Sequence, residues 1–238
     1  MKLRICYEKT EAGRFLSHLD LARTMERSLR RAGIPLAFSE GFNPHPKMSF
    51  ASALAVGITG EREYLDLELR RRINPEQTGQ AIAQAMPPAL KLVALREIQG
   101  PGKSLSALIN RAVYALAVPA EAVPPEKVQT GIDGVLAARE LWRQPKVKPG
   151  KKPIPAKEVR HLIQDLRIGT AQNSGAVPEQ LLVEMTLTLN NEGQLRPQEI
   201  WQMIGEKGGF FPAKPLWVCR RALLIARDGK AFSPMEGV

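Results

Sequence analysis

Cysteines are few in this sequence, acidic residues are outnumbered by basic ones, and long apolar runs are missing. Only Cys6 and Cys219 are cysteines among 238 residues, far apart and without a second cysteine at metal-ligand spacing, so no thiolate zinc site is spelled out. In a reducing compartment the two read as small buried hydrophobes, not as a disulfide. No stretch approaches the roughly 20 apolar residues that span a bilayer. The opening MKLRICYEK runs straight into strand-like alternation without the apolar core of a signal peptide, so a cytoplasmic protein without a membrane partner is expected. Missing too are the GxGxxG and P-loop phosphate cradles, the HExxH metalloprotease pair and any zinc pattern. The sequence therefore implies no cofactor and no metal.

Positive charge is in surplus. Lysine and arginine number 34 against 24 acidic residues, a net charge of +10 with a pI near 9.9. Such a balance favours an anionic partner through long-range attraction and counterion release, nucleic acid foremost. The 44% hydrophobic content is that of a folded chain with one large core or two ordinary ones.

Residues 2–8 alternate, with Leu3, Ile5 and Tyr7 opposite Lys2, Arg4, Cys6 and Glu8, the period of a half-buried strand. Ser17 as N-cap, Asp20 three residues on, and Leu19, Ala22, Met25, Leu29 and Ala32 at steps of three and four predict a helix from about His18 to Ala32. Gly33 and Pro35 close it. An extended segment from Leu36 to Phe38 is then broken by GFNPHPK, where Asn43-Pro44 and His45-Pro46 shape a loop. Met48 to Val56 is extended, Glu63 to Leu69 alternates as a strand with Leu65, Leu67 and Leu69 on one face, Asn74-Pro75 opens a helix through Met86, and Leu90 to Ile98 is a strand. That order is the split βαβ or ferredoxin-like unit, two helices on one face of an antiparallel sheet.

Residues 99–106 have the Gly, Pro and Ser content of a linker. A second series follows. Arg111 to Val118 is strand-like, Pro124-Pro125 opens a helix to about Trp142, and Val183 to Leu189 is a strand ended by the NNEG turn. Pro197 to Ile204 is a helix with Ile200, Trp201 and Ile204 inward, and Leu216 to Ala226 is the closing strand. The expected fold is α+β with tandem ferredoxin-like (βαββαβ) halves, antiparallel sheets with helices on one face: residues 1–98, the linker 99–106, and a divergent second half, 107–238. Residues 143–160 interrupt that second half with Arg143, Lys146, Lys148, Lys151, Lys152, Lys157 and Arg160 among four prolines, and no acid before Glu158. This is an arm suited to a polyanion, or a solvated loop.

Arg23, Arg27, Arg30 and Arg31 fall along one flank of the first helix, with Glu26 placed to pair with Arg30, and form either a phosphate-contacting stripe or a solvated face. In the loop, Asn43, His45 and Lys47 offer donors suited to phosphate, and Phe42 and Phe50 offer rings that stack on a base or join the core. His18 and His45 are two of three histidines. If the loop folds back over the start of the helix, they supply an acid–base pair for metal-free cleavage at an RNA 2′-hydroxyl; otherwise His18 is a helix-start residue and His45 a turn ring. His161, in VRHLIQDLRI, reads as an interior or edge residue, and Asp66 and Glu68 as solvated acids on a strand.

The runs RFLSHLDL, ERSLRRAGIPLAFSEGFNPHPKMSFA and EYLDLEL resemble the bacterial family of radical SAM-linked proteins, so called because its members occur beside or fused behind a B12-binding-type radical S-adenosylmethionine protein. The likeness is distinctive over residues 1–70 and looser beyond, through the basic segment to VCRRALLIARDG. It implies a radical SAM partner acting in trans and transfers no reaction. The partner's own chemistry is absent from this chain, because a radical SAM cluster needs three closely spaced cysteines. Three functions from different classes remain open. One is a non-enzymatic RNA-binding accessory protein working with a radical SAM enzyme in RNA modification or processing. Another is a metal-independent endoribonuclease using His18 and His45. The third is a protein-interaction module whose basic surfaces meet an acidic partner.

Overall fold

The computed structural model describes residues 1–98, 103–143, 155–169, 180–189 and 194–236. In chain order these form β1 (Lys2–Lys9), α1 (His18–Arg31), β2 (Met48–Phe50), β3 (Thr59–Glu68), α2 (Pro75–Ala85), β4 (Leu90–Ile98), α3 (Leu105–Leu108), β5 (Arg111–Pro119), α4 (Pro125–Ala137), β6 (Trp142–Arg143), β7 (Lys157–Glu158), β8 (Ile163–Gly169), β9 (Gln180–Thr188), α5 (Pro197–Gly208), β10 (Trp217–Arg227) and β11 (Lys230–Phe232). The strands pair mostly antiparallel and the class is α+β. The chain divides into two compact units, residues 1–110 with 219–238, and residues 111–218.

In the first unit β1 pairs antiparallel with β4 on one side and β3 on the other, and β2 adds antiparallel to β3. The resulting order β4-β1-β3-β2 is that of a split βαββαβ unit. Leu3, Ile5 and Tyr7 of β1 and Leu65 and Leu67 of β3 are buried against Leu21, Met25 and Leu29 of α1 and Ile82 of α2. Both helices have the ends their sequences specify. Ser17 Oγ accepts the Asp20 N–H, Asn74 Oδ1 accepts the N–H groups of Glu76 and Gln77, and Gly33 ends α1 with φ of +69°. The buried stripe of α1 keeps Met25 and Leu29 of the expected one and replaces the rest with Leu21 and Ser28, while Ala22 and Ala32 are half-buried. Leu19 is 66% exposed and Leu21 lies inside, with Ser28 filling the stripe because its hydroxyl donates to the Thr24 carbonyl at 2.9 Å.

The expected half-buried β1 is buried on both faces, because the C-terminal segment covers the side turned away from the helices. Arg4 forms a two-pronged pair with Asp66, at 2.7 and 2.8 Å, and donates to the Pro234 carbonyl at 2.7 Å. Tyr64 meets Ser233, and Arg96 donates to the Met235 carbonyl. Asp66 is thus a paired acid, not a solvated one. Burial raises the Cys6 thiol to about 11 and the Cys219 thiol to about 12; both are free.

Residues 219–238, which linear order assigned to the second half, belong to the first unit. Asn110 brackets β10, accepting the Ala226 N–H at 2.8 Å and donating to the Ala226 carbonyl at 2.9 Å. β10 runs parallel to β3 at Cys219–Thr59 and Arg220–Gly60, and β11 folds back on β10. Arg220 then meets Glu63 at 2.8 and 2.5 Å with both side chains almost fully buried, and donates to the Ser52 carbonyl at 3.0 Å. Gly60 leaves the room: a Cβ there would stand 2.7 Å from Glu63 Oε1. Part of the expected linker is also structural, since Leu105 of α3 is fully buried.

In the second unit β5, β9 and β8 form an antiparallel sheet in that order, with α4 and α5 packed together. The helices approach closely where Gly131 stands, since a Cβ there would lie 2.2 Å from the Ile204 carbonyl oxygen. β8 escapes the alternation test because its register shifts between Ile163 and Asp165. α4 stops at Ala137, short of Trp142, as Ala138 turns to extended backbone and Trp142 enters β6. The NNEG turn lies outside the described residues.

A buried pair broken on one side leaves an unpaired charge, and that asymmetry makes the Arg220–Glu63 contact testable. Arg220→Met is expected to destabilise the protein by about 3–5 kcal/mol, and the double variant Arg220→Met with Glu63→Leu by much less. Chemical denaturation of the two variants and the parent checks the difference.

Candidate nucleic-acid interface

The chain between β1 and α1 is positioned by a buried lysine. Lys9 is 1% exposed, and its Nζ donates to the carbonyls of Arg14 and Leu16 at 3.1 and 3.2 Å. Burial holds its pKa below the ordinary lysine value, with Glu63 opposing the shift. Immediately after these carbonyls Ser17 caps α1, so the buried charge fixes where the helix begins and which flank faces out.

That flank carries Arg23, Arg27, Arg30 and Arg31, all exposed. Glu26 pairs with Arg30 at 2.8 Å as the spacing predicted, while Asp20 stands 3.9 Å from Arg23. Exposed pairs of this kind contribute about 1 kcal/mol or less, so an anion competes for these cations at small cost. Arg31 donates to the Ala85 carbonyl at 2.6 Å and ties α1 to α2. Arg27 has no ion pair or hydrogen bond among the described residues.

The GFNPHPK loop projects from a closed stem. Phe38 bridges Pro46, the Ser39 N–H donates to the His45 carbonyl at 2.8 Å, and the His45 N–H donates to Ser39 Oγ at 3.0 Å. Phe42, Asn43 and His45 are consequently exposed at the tip, Phe42 fully. Lys47 lies 3.7 Å from Glu68, which also holds Lys2 at 3.0 Å; the Lys2 hydrogen bond, with both charges, keeps the Glu68 carboxyl below its ordinary value. The His18 ring sits edge-on to Phe50 at 5.3 Å, and Phe50 in turn meets Tyr7 at 6.4 Å. Phe50 therefore joins the edge of the core. No hydrogen bond or ring contact links His18 with His45.

The structure adds two residues that the sequence reading did not single out, Phe38 and Arg70. Arg30 and Arg70 each place their guanidinium carbon 5.1 Å from the centre of the Phe38 ring. These three, with Ile34, Leu36 and Pro44, line one open depression of about 500 Å³. The end of α1 and the loop, separate signals in the sequence, thereby share one site. The run Arg70-Arg71-Arg72 was the available clue; what hid it was its place at the end of a strand.

In the second unit the two ends of the basic segment pair antiparallel, Trp142 with Glu158 and Arg143 with Lys157. Glu158 organises this base, accepting the backbone N–H groups of Leu141 at 3.2 Å and Arg160 at 2.6 Å and meeting His161 Nδ1 at 2.8 Å. Arg143 is engaged with Glu199 and the Gln194 carbonyl, and Arg160 with the carbonyls of Leu136 and Ile163. Lys157 is exposed, while Lys146, Lys148, Lys151 and Lys152 lie outside the described residues. Among the described residues no group of His, Cys, Asp and Glu is arranged to hold a metal, and no helix is long and apolar enough to cross a membrane.

The His161 contact, aided by the two backbone donors, holds the Glu158 carboxyl below the usual carboxylate value. A depressed pKa means that its contribution is complete above the unfolded-state value and lost as pH falls through the folded-state one. Thermal unfolding of Glu158→Gln is therefore expected to lie below that of the parent at neutral pH, and the gap to close as pH falls from about 5 to about 2.

A sequence search of curated proteins returned no significant match. In fold the chain is similar to a chain in the crystal structure of a Cbf5-Nop10-Gar1 complex, with a TM-score of 0.52 and 11% identity, covering 93% of this chain and 48% of that one. It thus spans about half the length of that relative, and the likeness is one of fold. Residues 2–197 match the model of the family described as "Uncharacterized protein conserved in bacteria (DUF2344)", and to that family the chain belongs.

Proposed function

We propose that this chain is a non-enzymatic RNA-binding protein of the cytoplasm, assisting a radical SAM enzyme in trans in RNA modification or processing. The observation that carries the RNA part is that Arg30 of α1 and Pro44 of the GFNPHPK loop border one depression. The arginine flank and the aromatic- and amide-bearing tip therefore act as neighbours. Arg23, Arg27 and Arg30 supply phosphate contacts, Asn43, His45 and Lys47 supply donors, and Phe42 supplies a stacking ring. Lys157 and the lysines at 146, 148, 151 and 152 add charge from the second unit. The radical SAM partner rests on the resemblance carried by RFLSHLDL, GFNPHPKMSFA and EYLDLEL.

A second reading, a protein-interaction module, is favoured by Phe15 and Leu19, 67% and 66% exposed, and by Val56, 57% exposed. The Gly57 N–H donates to the Arg14 carbonyl at 2.8 Å, which sets Val56 beside Phe15 in the fold. Exposed large apolar side chains suit a protein surface rather than a phosphate backbone.

Fluorescence anisotropy with a labelled RNA oligonucleotide tests the first reading. Binding is expected to weaken steeply with salt, and Arg23→Ala with Arg27→Ala to lower the slope of log K against log salt by about 1 to 1.5. The same affinity as a neutral control protein at low salt removes the RNA reading. A photocrosslinker at Leu19 in cells tests the second; a nuclease-resistant, protein-sized adduct is expected, and none if that patch faces solvent throughout.

A further inference from the structure

The Arg30–Phe38–Arg70 depression combines an apolar floor with two cations, a pairing that neither a solvated helix face nor a plain phosphate stripe requires. Ile34 and Leu36 are 8% and 4% exposed and close its base, and the bridged stem at Phe38–Pro46 holds Pro44 on the rim. Its volume of about 500 Å³ is in the range that takes one small organic group. Phe38 holds both guanidiniums through cation–π attraction, so they lie within twice 5.1 Å of each other and lose little freedom when a ligand binds.

The charge balance points to an anion. Arg30 is shared with Glu26, but Arg70 has no ion pair or side-chain hydrogen bond among the described residues. The C-terminal end of α1 contributes roughly half a negative charge nearby, less than the two guanidiniums supply. An inorganic ion would leave the apolar floor unused. A duplex would present its phosphates outward and its bases stacked away from the floor, so it uses the cations alone.

We propose that this depression binds a single unpaired RNA nucleotide, its base lying against the Arg–Phe–Arg layer and Pro44, its phosphate paired with Arg70 and Arg30. Bases stack on guanidinium planes and on aromatic rings without regard to sequence, which makes the site a reader of strand state rather than of sequence. The proposal rests on the RNA reading above and deepens it: the RNA class is single-stranded loops, bulges or ends.

Anisotropy with two labelled probes of equal length at one salt concentration, an unstructured single strand and a blunt duplex, tests it on the full chain. Arg70→Gln, on the surface, and Phe38→Leu, checked by thermal melting, are each expected to weaken single-strand binding at least fivefold, the scale of one stacked base. Duplex binding should change by less than twofold in both. Equal losses on the two probes, or unchanged single-strand binding by Arg70→Gln, overturn the proposal while leaving the RNA reading intact. Binding of neither probe by the parent protein overturns both.

Discussion

A buried guanidinium–carboxylate pair, Arg220 with Glu63, is the constraint from which the first unit takes its form. It joins residues 157 apart in sequence and brings β10 against β3. The cost of drying two charges is offset only because Arg220 also reaches the Ser52 carbonyl and because Gly60 leaves space for the Glu63 side chain. Once β10 is in place the residues after it lie over β1 and β3, where the Pro234 carbonyl accepts from Arg4 and the Ser233 and Tyr64 hydroxyls meet. A polar cluster inside the fold thus decides which residues form the unit.

The same neighbourhood governs the candidate interface. Lys9 sits near Glu63, is buried with it, and its Nζ holds the carbonyls of Arg14 and Leu16. That sets the start of α1 and the rotation of its two faces: Leu21, Met25 and Leu29 inward, Arg23, Arg27 and Arg30 outward. Gly33 then turns the chain so that Phe38 comes within 5.1 Å of Arg30, and the chain just after β3 brings Arg70 to the same distance from that ring. Core and surface are therefore two consequences of one local arrangement. In the proposed function the interior fixes the geometry and the exposed cations meet the RNA.

Elements whose signals are local were legible in the sequence. The caps Ser17 and Asn74, the stop at Gly33 and the alternation of Leu65, Leu67 and Leu69 each rest on neighbours within a few residues, and each stands where expected. Features set by partners far along the chain were not. Arg4 and Cys6 look like the wet face of a strand until residues 233–235 cover them, Leu19 looks like core until Leu21 takes its place, and β8 loses its period at a bulge. The candidate site divides in the same way. The arginines of α1 and the loop residues could be found by spacing, whereas Phe38 and Arg70 become a pair only in three dimensions, and nothing in the spacing of His18 and His45 foretold the engagement of His18 with Phe50.

The central claim is that RNA meets the surface shared by α1 and the loop of the first unit. Ultraviolet crosslinking of the protein to RNA in cells, followed by mass spectrometry of the nucleotide-bearing peptides, locates the contact directly. The account predicts adducts within residues 23–47, on or beside Phe38 and Phe42. Nucleotide adducts confined to other regions, with those peptides recovered unmodified, would contradict it.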